Sequence, residues 1–148
     1  MKNIFLCLIA VAALCFTSCG KNYVEEYLGD YECTMTATIN TTDLGPISQN
    51  LSSNFTITQG TDDDDVVLTF TDVDLVMDGE VDENGLHIDD GRMAFTYQGA
   101  SVDVTMNEAN AVLNGNALSW TATGTGTVTS SLFNFSGDGT VKFDATKK

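Results

Sequence analysis

Tyr31-Glu32-Cys33-Thr34-Met35-Thr36-Ala37-Thr38-Ile39 decides the fold. Apolar side chains take the odd positions and Glu or Thr the even ones. That period of two belongs to a β-strand with one face in a core and the other in water. Leu51-Ser52-Ser53-Asn54-Phe55-Thr56-Ile57-Thr58 repeats it, and Val66, Leu68 and Phe70 alternate with Val67, Thr69 and Thr71. Further strand segments are expected at residues 73–81, 86–88, 93–97, 102–106, 117–128, 132–135 and 141–145. From residue 27 onward no stretch carries a helical period.

Turn signals punctuate these runs: Gly60-Thr61-Asp62, Glu83-Asn84-Gly85, Gln98-Gly99-Ala100, Asn114-Gly115-Asn116 and Gly137-Asp138-Gly139. Short turns join antiparallel neighbours, so an all-β, antiparallel up-and-down meander is predicted. A meander of this length removes its exposed edges by closing, here into a roughly eight-stranded barrel. Threonine at outward positions suits a solvated β face. The single proline, Pro46, falls in the expected connection over residues 40–48, where its missing N–H does no harm.

Outward from this body, the N-terminus reads differently. Lys2 precedes a thirteen-residue apolar run, IFLCLIAVAALCF from Ile4 to Phe16, and Phe16-Thr17-Ser18-Cys19 closes it with small residues. Thirteen residues are too few to span a bilayer, which takes about twenty. The pattern is that of an export signal, with Cys19 as an acylatable cysteine. Residues 1–18 are then a signal peptide to be removed, residues 19–26 a lipidated N-terminus and short tether, and residues 27–148 a single barrel domain. Three acyl chains, palmitate among them, would hold such a protein in its membrane, because each buried methylene contributes about 0.8 kcal/mol. Gly20 after the cysteine favours the outer membrane of the cell envelope.

The chain carries 21 acidic and 6 basic residues, a formal net charge of −15, and removal of the signal takes Lys2 with it. Such an excess repels nucleic acid and anionic lipid surfaces. Of the four cysteines, Cys7 and Cys15 leave with the signal and Cys19 carries the lipid. Cys33 alone remains, on the core side of its strand, so a buried free thiol is expected and no disulfide.

With Cys19 followed closely by Tyr27-Leu28-Gly29-Asp30-Tyr31 and then by hairpins, the chain resembles the small calycin-like and lipocalin-like lipoproteins of Gram-negative bacteria. Gly29 and Tyr31 stand where lipocalins have Gly-x-Trp, with tyrosine in place of tryptophan. The resemblance implies an eight-stranded barrel whose base that aromatic closes, and whose interior binds a small apolar molecule.

Asp62-Asp63-Asp64-Asp65 reads as a solvated turn, since four adjacent side chains cannot converge on one calcium ion. Glu80-x-Asp82-x-Asn84-Gly85 imitates the start of a calcium loop, but the twelfth position is Gly91 and not Glu. His87, the only histidine, is expected to point outward. No metal site, cofactor or catalytic group is expected. Leu118, Trp120, Ala122, Gly124, Gly126 and Val128 share one face, a row that changes from bulky to bare. It leaves room for a ligand lined by Trp120, Tyr31, Phe55 and Tyr97, unless Gly124 and Gly126 serve a bend or Phe133, Phe135, Phe143 and Phe95 fill the space. The expectation is therefore a membrane-anchored envelope lipoprotein, not an enzyme, that binds a small apolar ligand. The alternative is a structural or interaction lipoprotein with a solid core.

Overall fold

The computed structural model describes residues 22–42 and 45–148; the signal segment and Cys19 lie outside them. One helical turn, α1 (Val24–Tyr27), precedes ten strands: β1 (Gly29–Thr41), β2 (Gly45–Gln59), β3 (Asp65–Phe70), β4 (Val76–Asp82), β5 (Gly85–Ile88), β6 (Gly91–Tyr97), β7 (Ala100–Met106), β8 (Ala109–Asn114), β9 (Ala117–Thr129) and β10 (Asn134–Lys147). All pairings are antiparallel. The ladder runs β10-β1-β2-β3-β4-β5-β8-β9 and returns to β10 through the β9–β10 pairing, which closes an eight-stranded barrel.

The two strands outside that ring are continuations of two within it. β5 pairs with β8 (Ile88↔Ala109) and β6 with β7 (Gly91↔Met106) in one uninterrupted register. β5–β6 and β7–β8 are thus the two arms of a single long hairpin, each interrupted for two residues, at Asp89-Asp90 and at Asn107-Glu108. β9 lies along the second arm, its residues 124–129 against β7 and 117–119 against β8. Between the two stretches the register slips by one residue, which is a β-bulge. With each broken arm counted as one strand, the chain is an up-and-down meander in sequence order, as the alternation predicts.

Besides the strand expected at residues 73–81, which begins only at Val76, three details differ from the sequence reading. The β1–β2 connection is shorter than residues 40–48, because β1 continues to Thr41 and β2 starts at Gly45, taking Pro46 into the strand. Gly137-Asp138-Gly139 is not a turn but part of β10, and residues 132–133 belong to the turn before it. β8, with the sequence ANAVLN, has only Ala111 fully inward and escapes the alternation test.

The glycines of β9 and β10 explain the second difference. A Cβ on Gly137 would lie 1.9 Å from the Asn40 carbonyl oxygen, and one on Gly124 1.9 Å from that of Thr105. Bare backbone is needed where β1 and β7 pass this closely, so the glycines serve close approach inside the sheet.

Inside the barrel, Tyr31, Met35, Phe55, Leu68, Leu86 and Phe143 are no more than 1 % exposed. α1 sits at the end where β1 begins, with Val24 and Tyr27 buried, and the Tyr31 hydroxyl donates to the Tyr27 carbonyl at 2.7 Å. The other end is less complete. β2 meets β3 only from Phe55 on, and β4 begins at Val76, so residues 45–52 of β2, paired with β1 on one side, have no strand on the other among the described residues, and the outer edge of β6 has none either.

Candidate functional site

Direct cross-strand pairing brings the barrel's aromatic residues together. Tyr31 faces Phe55, Phe55 faces Phe70, and Trp120 faces Phe143 on the strands that adjoin β1 from its other side. Phe55 stacks on Tyr31 (ring centroids 4.9 Å apart, planes at 2°) and on Phe70 (4.7 Å). Trp120 stacks on Phe143 (4.2 Å, 8°) and meets Phe55 edge to face (6.0 Å, 87°). Phe70 and Phe143 complete the set at 5.9 Å. These are the offset and T-shaped geometries that aromatic quadrupoles favour.

Three of the four residues expected to line a ligand site, Tyr31, Phe55 and Trp120, are therefore neighbours in one cluster, and they touch one another. Tyr97 is not with them. It ends β6 at the opposite end of β9, half-buried, and its hydroxyl accepts from Gln98 Nε2 at 3.2 Å. Phe143, one of the four phenylalanines expected to fill the space if no ligand does, is a member, and so is Phe70, which sequence reasoning did not single out. Their signal was the alternation itself, which put both on the core side. The bare end of the Trp120 row is occupied: Ile39 lies against Gly126, and Val104 against Gly139, the cross-strand partner of Gly124.

One polar atom in the cluster lacks a partner. Trp120 is 4 % exposed, and its Nε1–H makes no hydrogen bond among the described residues. A buried donor left unpaired costs about 1–3 kcal/mol. Tyr31 differs, since its hydroxyl is satisfied by Tyr27, and burial raises its pKa to about 12. Cys33 is buried as expected, and burial raises its thiol to about 12 as well, which leaves it protonated and unreactive at neutral pH.

The acidic motifs resolve into local turns. Gly60 N–H donates to the Asp65 carbonyl, and the Asp65 carboxylate accepts from Asp62 N–H at 3.2 Å, closing the β2–β3 turn. Asp82 accepts from Asn84 Nδ2 and from the backbone N–H groups of Asn84 and Gly85, bonds that lower its carboxyl pKa. His87 points outward, with Nδ1 on Asn110 Oδ1 and Nε2 3.4 Å from Asp82. Among the described residues no group of three or more His, Cys, Asp or Glu is placed to hold a metal ion.

Concave surface lies on the outside. A shallow depression of about 590 Å³ crosses β10, β1 and β2, lined by polar residues that include Glu32, Ser52, Asn54, Asp72 and Asp144. None of the four expected lining residues borders it. No protein-family model, no curated protein and no solved structure matches this chain.

Proposed function

We propose that this chain is an envelope lipoprotein, acylated at Cys19 and held at the outer membrane, whose barrel is a packed scaffold that works through its outer surface. The observation that carries this reading is the five-ring stack of Tyr31, Phe55, Phe70, Trp120 and Phe143, each no more than 6 % exposed, which fills the interior where a lipocalin-like barrel would hold its ligand. The outward rows support it: Glu32, Thr34, Thr121, Thr123 and Asp144 are solvated, the inverse of a barrel whose outside faces lipid. The net charge of −15 keeps a tethered domain off an anionic surface.

Titration with fatty acids and bile-acid-like probes tests the packed scaffold. Emission from Trp120, the only tryptophan, is expected to stay unchanged, and a saturable shift would overturn the reading. Intact mass spectrometry of protein purified from its own membrane tests the anchor, which an unmodified residue 19 would sink.

A second reading is favoured by one specific atom. The unpaired Trp120 Nε1–H suits an acceptor-bearing small apolar ligand inside the barrel. On that reading the same titration gives a saturable shift, and Trp120→Phe, which lacks the emitting residue and is followed by calorimetry, binds the probe more weakly while the protein stays folded.

A further inference from the structure

We propose that two copies of this chain pair through the open edge of β2, antiparallel and about a two-fold axis at Asn50. This deepens the scaffold reading and rests on it, since it names the outer surface at work and the partner it takes.

The direction of each backbone group along the edge follows from Asn54. Its N–H donates to Asp72 Oδ2 and its carbonyl accepts from Thr71 N–H, so both groups face the β3 side of β2. Groups alternate sides along a strand, and the β1–β2 register runs without a bulge from Gly45 to Ile57. Ser52, Asn50, Ser48 and Pro46 therefore face the same side, where β2 has no strand beside it among the described residues. Pro46 has no N–H to give, and Asn54 is already engaged. The run open to another strand is Ser48, Asn50 and Ser52, centred on Asn50, whose carbonyl accepts from the exposed Gln49 Nε2 at 3.0 Å and keeps its second lone pair for a partner.

A run of three with one centre is self-complementary. In an antiparallel pair about Asn50, Ser48 of one copy faces Ser52 of the other and Asn50 faces Asn50, so every free N–H and C=O of these residues gains a partner. Ile47 and Leu51, half-buried beside the edge, gain cover from the second copy.

Charge selects this edge for a second copy. Two chains of net charge −15 repel wherever acids meet, yet residues 45–52 hold no charged side chain. The adjacent outward row of β1, Thr34, Thr36 and Thr38, holds none either, and Thr36 and Thr38 tie Asn50 and Ser48 down by side-chain hydrogen bonds at 3.0 and 2.8 Å. Edge strands that must stay single usually carry charge, and here that protection is missing. β6, the other open edge, carries Arg92.

Sedimentation equilibrium of the full lipidated protein in density-matched detergent is the test. The wild type is expected to dimerise reversibly on concentration. Asn50→Asp and Asn50→Lys each set like-charged side chains directly opposite across the axis, on Cα atoms about 5.5 Å apart, and are expected to weaken the dimer about tenfold or more. An equimolar mixture of the two variants is expected to restore it. Amide exchange in the wild type needs no variant: Ser48, Asn50 and Ser52 gain protection with concentration, whereas Gln49 and Leu51, bonded to β1, are protected throughout. A wild type that stays monomeric, a dimer indifferent to both variants, or protection at another edge overturns the proposal. If a different chain proves to occupy the edge while the wild type stays monomeric, the proposal fails as well. None of these results alters the response of Trp120 to lipid probes, so the scaffold reading stands or falls separately.

Discussion

Gly124 and Cys33 show how single residues of one alternating pattern come to opposite uses. Gly124 pairs with Met106 on one side and Gly139 on the other, and the Thr105 carbonyl lies where its Cβ would be. Gly124→Ala is expected to lower the unfolding free energy by about 3 kcal/mol or more, read as the urea midpoint. Gly115→Ala, in a turn with positive φ (62°) and open space around it, is expected to lose only about 1 kcal/mol. Cys33 and Tyr31 set the alkaline limit. Burial raises the thiol from 9.0 and the phenol from 10.0, both to about 12. In each case the folded state holds its proton more tightly than the unfolded chain does. That stability is present in full below the unfolded value and is lost as pH rises toward about 12. The urea midpoint is expected to fall between pH 9 and 12, and Cys33→Ala to move the onset of the fall to higher pH. A midpoint flat across that window would contradict the burial of both groups.

Elements were legible in the sequence to the extent that their side chains alternate. β1 and β9 could be read because every second residue is apolar, and so could the inward placement of Trp120, Tyr31 and Phe55. β8 could not be read, because ANAVLN buries one small residue and exposes Val112 at 65 %. The Gly-Asp-Gly of β10 was misleading because glycine marks a turn and a close strand crossing with the same letter. The site was harder still. Alternation says which side chains point inward but not whether they meet: the stacking of Phe143 on Trp120 follows from the register of the β9–β10 hairpin, and the meeting of Trp120 with Phe55 needs the β1–β10 seam as well. The interruption in the long hairpin has a cause visible only once β5–β6 and β7–β8 are laid side by side. Continuing their register sets Asp89 opposite Glu108. Like charges directly opposite oppose pairing. Glu108→Gln is expected to stabilise the protein by about 0.2–1 kcal/mol at low ionic strength, with the gain shrinking as salt is added. A gain independent of salt would point to a cause other than charge.

For the molecule as a whole, the decisive contact is the last one made along the chain. β10 must find β1 across nearly the full length of the sequence, and it pairs with it from Tyr31↔Lys147 to Thr41↔Gly137. Closing so long a loop delays the native ladder, and refolding followed by Trp120 emission is expected on the millisecond-to-second scale of non-local β folds. Refolding in microseconds would mean that closure is not the limiting event. The same seam brings the two ends of the domain side by side: Lys148 N–H donates to the Asp30 carbonyl at 3.0 Å, and Lys147 Nζ reaches the Glu26 carbonyl. The barrel therefore has no topological need for its natural starting point. A permuted gene that joins residue 148 to residue 22 through a short glycine-serine bridge, and begins instead within the exposed Ser130-Ser131-Leu132-Phe133 turn, would trace the same eight-stranded circuit from a different origin.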